Sequence, residues 1–182
     1  MRLAVISDTH IPEREAAMPA AFRDRIRRAD HTIHAGDVQT AAVLEEVREL
    51  AGDLTAVHGN LDPAALPAPA VADLTVEDVT FVVTHGAVNP VEAAVYGHDG
   101  MAMTADEWAN AIGDTARART RNWDGEGLVG IGGHTHQVED MVHEGVRLLN
   151  PGSATGADPA EEATMMTVDI DGDEIDVTRH RE

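Results

Sequence analysis

Seven residues with oxygen or imidazole donors stand directly after apolar runs along this chain. Asp8 and His10 follow "RLAVI", Asp37 follows "HTIHAG", and Asn60 follows "LTAVHG". His85 follows "TFVVT", and His134 and His136 follow "LVGIGG". Most are flanked by glycine, in "AGD", "HGN", "THG" and "GGHTH", which lets the backbone turn sharply and a ligand come close. Taken singly, each has a plainer reading. Asp8 and Thr9 would serve a turn or a helix cap, Asp37 the cap of the next helix, Asn60 a turn at positive φ, and His136 the surface. Taken together, seven donors exceed a single tetrahedral site. They suit two cations sharing a bridging carboxylate.

The elements that must position these donors follow from the apolar periodicity. "RLAVIS", "HTIHAGD" and "LTAVHGN" read as strands, with helices over Ala16 to Arg28 and Ala41 to Leu50 between them. Such a β-α-β-α-β order gives a sheet with right-handed crossovers, which binds ligands at the carboxyl ends of its strands. "DPAALPAPAV" reads as a loop, and "DLTVEDVTFVVTHG" as two strands around an "EDV" turn. A polar excursion over Asn89 to Gly127 holds a helix, Ala105 to Arg121, where Thr104 and Glu107 fit a capping box. "GLVGIGGHTH" is a further strand. "VEDMVHEGVRLLN" and "TMMTVDIDGDEIDVTR" are hairpins, the second turning on "DGD". The predicted fold class is α/β, with two packed sheets and helices outside, in one domain over residues 1–182 with a helical excursion at about 89–127.

Asp-x-His, Gly-Asp, Gly-Asn, His-Gly and Gly-His-x-His, in that order on such strands, resemble the calcineurin-like metallophosphoesterases over nearly the whole chain. The small size resembles their compact prokaryotic phosphodiesterase branch. "LNPGSATGA" (Leu149 to Ala157) resembles a segment this branch shares with the retromer scaffold subunit of the same fold. The resemblance implies a four-layer α/β/β/α sandwich of two mixed sheets flanked by helices. It also implies that Asp8, His10, Asp37 and His136 hold one metal, and Asp37, Asn60, His85 and His134 the other, with Asp37 bridging. Mixed nitrogen and oxygen ligation suits Mn²⁺ first, and Ni²⁺, Fe²⁺ or Zn²⁺ next, better than Ca²⁺ or Mg²⁺. Two ions ~3.5–4 Å apart hold a hydroxide between them and clamp phosphoryl oxygens for in-line attack. The expected activity is that of a metal-dependent phosphodiesterase on a small phosphate ester, with Asp37, Asn60 and His85 acting in catalysis. The alternatives are a non-catalytic protein-interaction scaffold of the same fold, or a nucleotide phosphatase.

Two departures from the resemblance matter. Where many relatives carry a histidine directly after the Gly-Asn asparagine, to assist the leaving group, this chain has Leu61. Where they continue His-Gly-His, it has Ala87. His98, in the excursion, reads as a surface histidine that would have to reach across to replace either. His34 reads as a brace for its strand end, and His31, His58, His143 and His180 carry no motif. "GLVGIGG" lacks the arrangement of a dinucleotide-binding turn.

Composition bounds the partners. The chain of 182 residues has 33 acidic residues against 13 basic ones, all arginine, for a net charge of −20, and it has no cysteine. That surface lacks the basic stripe that long nucleic acid requires. No apolar run approaches a membrane span and no leader pattern opens the chain, so a cytoplasmic protein is expected. Self-association is left open. The acidic, lysine-free balance is that of a salt-loaded cytoplasm, although a high-GC genome also favours arginine over lysine. Folding concentrates like charges, and their repulsion reaches ~10 Å in ~0.1 M salt but only ~3 Å in ~1 M. The melting temperature is therefore expected to rise steeply along a KCl series. A flat or falling trend would contradict the salt-adapted reading.

Overall fold

The computed structural model describes residues 1–96, 100–102, 104–120 and 127–182. One sheet is built from β1 (Arg2–Ile6), β2 (His31–His34), β3 (Leu54–Ala56), β9 (Thr164–Asp171) and β10 (Glu174–Arg181), in the order β10-β9-β1-β2-β3. The second contains β4 (Val71–Val76), β5 (Val79–Thr84), β6 (Gly127–Ile131), β7 (Val138–His143) and β8 (Val146–Pro151), in the order β4-β5-β6-β8-β7. Both are mixed. β1, β2 and β3 run parallel in the first, and β5, β6 and β8 in the second, with antiparallel partners at the edges.

Side-chain alternation makes the layers. Leu3, Val5 and Ile33 point from the first sheet onto Phe81, Val83, Val129 and Ile131 of the second, closing the core between them. Ala4 and Ile6, one residue out of phase, face the other way onto Phe22 and Ile26 of α1 (Ala20–Arg28) and Val47 of α2 (Ala41–Ala51). On the far side, Val82 and Leu148 meet Trp108, Ile112 and Ala116 of α4 (Ala105–Arg119). This is the expected four-layer α/β/β/α sandwich.

Several boundaries differ from expectation for local reasons. The first helix starts at Ala20, not Ala16, because Pro19 occupies its cap position and a residue before proline avoids helical dihedrals. β4 begins at Val71, inside the stretch read as a loop, because it pairs along the whole of β5. α2 runs one residue further than expected, to Ala51, before Gly52 turns at φ 72°. α4 carries the predicted capping box at Thr104 and Glu107 but ends at Arg119; Arg121 lies outside the described residues. A short helix, α3 (Pro90–Tyr96), precedes it unpredicted.

α4 is the outer layer of the second sheet, with Trp108 2% exposed and set against the backbones of Gly86 and Gly132, next to the loops that bear His85 and His134. Trp108→Ala would open a cavity in that layer, an effect of about 3–5 kcal/mol for a buried tryptophan. Denaturant melts at fixed KCl are expected to show that loss. A change below about 1 kcal/mol would mean that α4 is not an integral layer.

Candidate metal centre

Parallel strands from both sheets end along one edge, so the loops after β1, β2, β3, β5 and β6 deliver all seven sequence-predicted residues to one place. The turns are tight. Asp8, His10, Asp37, His134 and His136 all have positive φ, between 48° and 71°, although none is glycine. Each such residue costs about 1–3 kcal/mol, and their clustering here marks a site where position outweighs backbone ease. Backbone bonds lock neighbouring loops together: Asp8 N donates to Gly36 O (3.0 Å), His10 N to Asp37 O (3.2 Å), and Gly133 N to His85 O (3.0 Å). A Cβ on Gly59 would fall on the Asp37 carboxylate, and one on Gly133 on Ser7 Oγ and the Asp8 carboxylate. Glycine is required there for approach.

Asp8 lies at the centre, wholly buried. Its Oδ1 is 3.3 Å from His136 Nε2, 3.7 Å from His10 Nε2 and 3.9 Å from His85 Nε2. Asp37 Oδ2 is 3.7 Å from His10 Nε2 and 3.4 Å from His85 Nε2, so it stands between the same histidines. Two overlapping groups have the geometry to hold an ion: Asp8, His10 and His136, and Asp8, Asp37 and His85. Both carboxylates thus sit where a ligand could be shared, whereas the sequence reading assigned sharing to Asp37 alone. Asn60 Oδ1 joins the second group, 3.0 Å from His85 Nε2 and 3.1 Å from His134 Nδ1. Asp8, His10, Asp37, His85 and His136 form a buried floor, and Asn60, with the half-buried His134, forms the open mouth.

The ring nitrogens fit a cation. His85 Nδ1 lies 2.7 Å from Ala35 O, and His136 Nδ1 lies 2.8 Å from Ala157 O. A carbonyl can only accept, so each Nδ1 carries the proton and each neutral ring turns the Nε2 lone pair inward. Gln39 Nε2 lies 2.9 Å from His10 Nδ1, and with the amide turned to place its oxygen toward the ring His10 would share that tautomer. His10 Nε2 and His136 Nε2 are then only 3.0 Å apart. Two lone pairs that close repel unless a proton or a metal ion lies between them. Buried carboxylates with inward imidazole lone pairs are a donor set that fits divalent transition metals.

Without a cation, protons take its place. Burial alone would push the Asp8 carboxyl up, but His10, His136 and the charge of His85 outweigh it and hold Asp8 far below the usual carboxylate range. Burial likewise opposes charge on His85, yet Asp37 and Asp8 raise it to about 9. Burial, joined by the charge of His85, lowers His134. His34 is buried and falls to about 4, so it stays neutral, accepting from Gly36 N at 3.3 Å beside Thr9.

The sequence reading missed the residues that hold the ligands. Asp62 is buried, its Oδ2 accepting from Asp37 N (3.0 Å) and Gly59 N (2.8 Å) and its Oδ1 from Gln39 N (2.6 Å). Its position, two residues after Asn60 in "GNLD", was the available signal. "LNPGSATGA" braces the other side: Ser153 Oγ donates to Asp8 O (2.8 Å), Thr155 Oγ1 to Thr9 O (2.9 Å), and Asn150 Nδ2 to Gly133 O (2.9 Å). Leu61 is 44% exposed and gives only its N–H to Asp37 Oδ1 (2.8 Å), while Ala87 is buried. His98 lies outside the described residues. His31, His143 and His180 bond to Thr55, Asn110 and Thr167, away from the centre. Asp62→Ala would free three N–H groups and release the Asp37 loop, so metal affinity is expected to fall about 10–100-fold. Titration with Mn²⁺ checks this, and unchanged affinity would make Asp62 a bystander.

Comparison with known proteins meets this geometry. The description "Calcineurin-like phosphoesterase superfamily domain" matches residues 1–173. A probable metallophosphoesterase of Methanothermobacter thermautotrophicus is 32% identical, over 97% of this chain and 90% of its own length. Among solved structures, Entamoeba histolytica Vps29 complexed with Zn²⁺ is 25% identical with a TM-score of 0.71, covering 100% of this chain and 98% of its own. Chaetomium thermophilum Vps29, at 20% identity and a TM-score of 0.72 over 100% and 97%, shares the fold. On the family match, the chain-long relative and the fold together, this chain belongs to the calcineurin-like phosphoesterase superfamily.

Proposed function

We propose that this chain is a metal-dependent phosphodiesterase of the cytoplasm, acting on a small phosphate ester. Asp8, His10, Asp37 and His136 hold one divalent cation and Asp37, Asn60, His85 and His134 the other, Mn²⁺ being preferred. The observation that carries this reading is the convergence of Asp8, His10, Asp37, His85 and His136, buried donors whose ligand atoms form two overlapping groups able to hold an ion. Bound there, the cations supply Lewis-acid charge for phosphoryl oxygens and make a water acidic enough to ionise near neutral pH.

The chain's own residues do the rest. The buried floor keeps bulk water from the ligands and holds each imidazole by its far nitrogen. Asn60, at the exposed mouth, turns its oxygen to the centre and leaves its NH₂ for a phosphoryl oxygen. Burial favours the neutral form of His134, the form whose lone pair could ligate. At position 61 a leucine gives the departing oxygen no proton. A protein-interaction scaffold is the competing reading, supported by the likeness to Vps29. The intact Asp37 and Asn60 favour the enzyme. A nucleotide phosphatase would use the same centre.

Two variants test this. Asp37→Ala removes the carboxylate between His10 and His85 and is expected to lose turnover by orders of magnitude while staying folded in the same salt. Wild-type hydrolysis of a phosphodiester by that variant would end the two-metal reading. With no acid at position 61, activated aryl esters should be strongly preferred over alkyl ones. Leu61→His should narrow the gap, since general-acid help is worth about 10²–10⁴-fold. Equal wild-type rates on aryl and alkyl esters would contradict the role given to position 61.

A further inference from the structure

Beside the centre lies a groove of about 250 Å³ that shares Asn60 and His85 with it. Its remaining wall is built largely from small apolar residues, Ala70, Val71, Ala87 and Val88 among them. Charged residues make up 25% of the chain, yet among the described residues that line this groove there is no carboxylate or guanidinium. The wall is preformed. Val88 pairs with Met101 in an isolated bridge, Ala102 N donates to Ala87 O (2.9 Å), and Val71 is in register with Thr84 across β4 and β5. Whole ligands usually occupy about 300–1,000 Å³, so this space suits one ring-sized group rather than a complete substrate.

Direction decides which group enters. In an in-line displacement the leaving oxygen departs straight away from the nucleophile, and so away from the side chains that hold the cations. A groove walled by two of those side chains would instead flank a phosphorus bound at the centre. It therefore faces the ester group that remains on phosphate after hydrolysis. We infer that the substrate is a phosphodiester whose retained ester group is apolar and flat, of aryl size, seated between Asn60, His85 and the wall formed by Val71 and Val88. This inference rests on the phosphodiesterase reading and names the substrate class within it.

The test holds the leaving group constant. The Mn²⁺-loaded full chain, in molar KCl, is given p-nitrophenyl phenyl phosphate and p-nitrophenyl methyl phosphate. Water adds to phosphorus, the bond to p-nitrophenolate breaks, and phenyl phosphate or methyl phosphate remains. After correction for the esters' rates with hydroxide alone, kcat/KM for the phenyl ester is expected to exceed that for the methyl ester by about tenfold or more, from apolar area leaving water. Ala70→Trp, which fills the groove from its exposed rim, and Val88→Asp, which charges its wall, should each bring that ratio toward one. Calorimetry gives a readout free of turnover: phenyl phosphate should bind the wild type more tightly than methyl phosphate, by a margin both variants lose. Equal corrected rates on the two esters, or a ratio that neither variant moves, would overturn the groove assignment and leave the phosphodiesterase reading standing. Turnover of neither ester would overturn both. A dimer that Val88→Asp dissolves would assign the groove to a second copy of this chain instead.

Discussion

The constraint on which this structure depends is the burial of two carboxylates side by side. Asp8 and Asp37 share a pocket whose other walls are imidazoles, and both remain ionised because those imidazoles are there. Removing a carboxylate from water costs several kcal/mol unless an opposite charge and hydrogen bonds replace the lost hydration. Protonated His85 and the N–H groups of His134 and Leu61 supply part of that compensation in the chain itself. A divalent cation supplies it more fully, and in displacing the proton from His85 it makes the centre pH-dependent. Affinity should weaken as pH falls, because protons then compete for the same nitrogen.

The fold follows from that demand. Five of the candidate ligands sit in left-handed backbone, an arrangement that raises the energy of every loop concerned. The loops are held to one another through Asp62 on one side and the 149–157 segment on the other. The two sheets matter for the same reason. One contributes Asp8, His10, Asp37 and Asn60, the other His85, His134 and His136, and the core between them fixes the distance across the site. Stability and ligand geometry are the same contacts counted twice.

Much of this was legible in the sequence, for a physical reason. A donor at the carboxyl end of a parallel strand is flagged by the apolar run before it and the glycine beside it, as at Asp37, Asn60 and His85. The sandwich was legible because Leu3 and Val5 alternate with Ala4 and Ile6, two apolar phases that require a layer on each face. The braces were not. Asp62 and Ser153 act through backbone groups of distant loops and Gln39 through the His10 ring, and apart from the closeness of Asp62 to Asn60 little local distinguishes them from turn residues. α4 was legible from its capping box, but not which face packs: its polar outer face dominates the composition, while Trp108 and Ile112 provide the packing. The groove was invisible for a similar reason, since Ala70 and Val88 come together only when β4 and β5 pair.

The central claim is that seven side chains form one dinuclear centre, and counting ions tests it most directly. The cation-free chain would be titrated calorimetrically with Mn²⁺ in molar KCl at about pH 7.5, in buffers of different ionisation enthalpy, which separates bound metal from released protons. The account predicts two ions per chain, with net proton release to the buffer as the metal displaces the proton of His85. A single ion, none at all, or binding without proton release would contradict it.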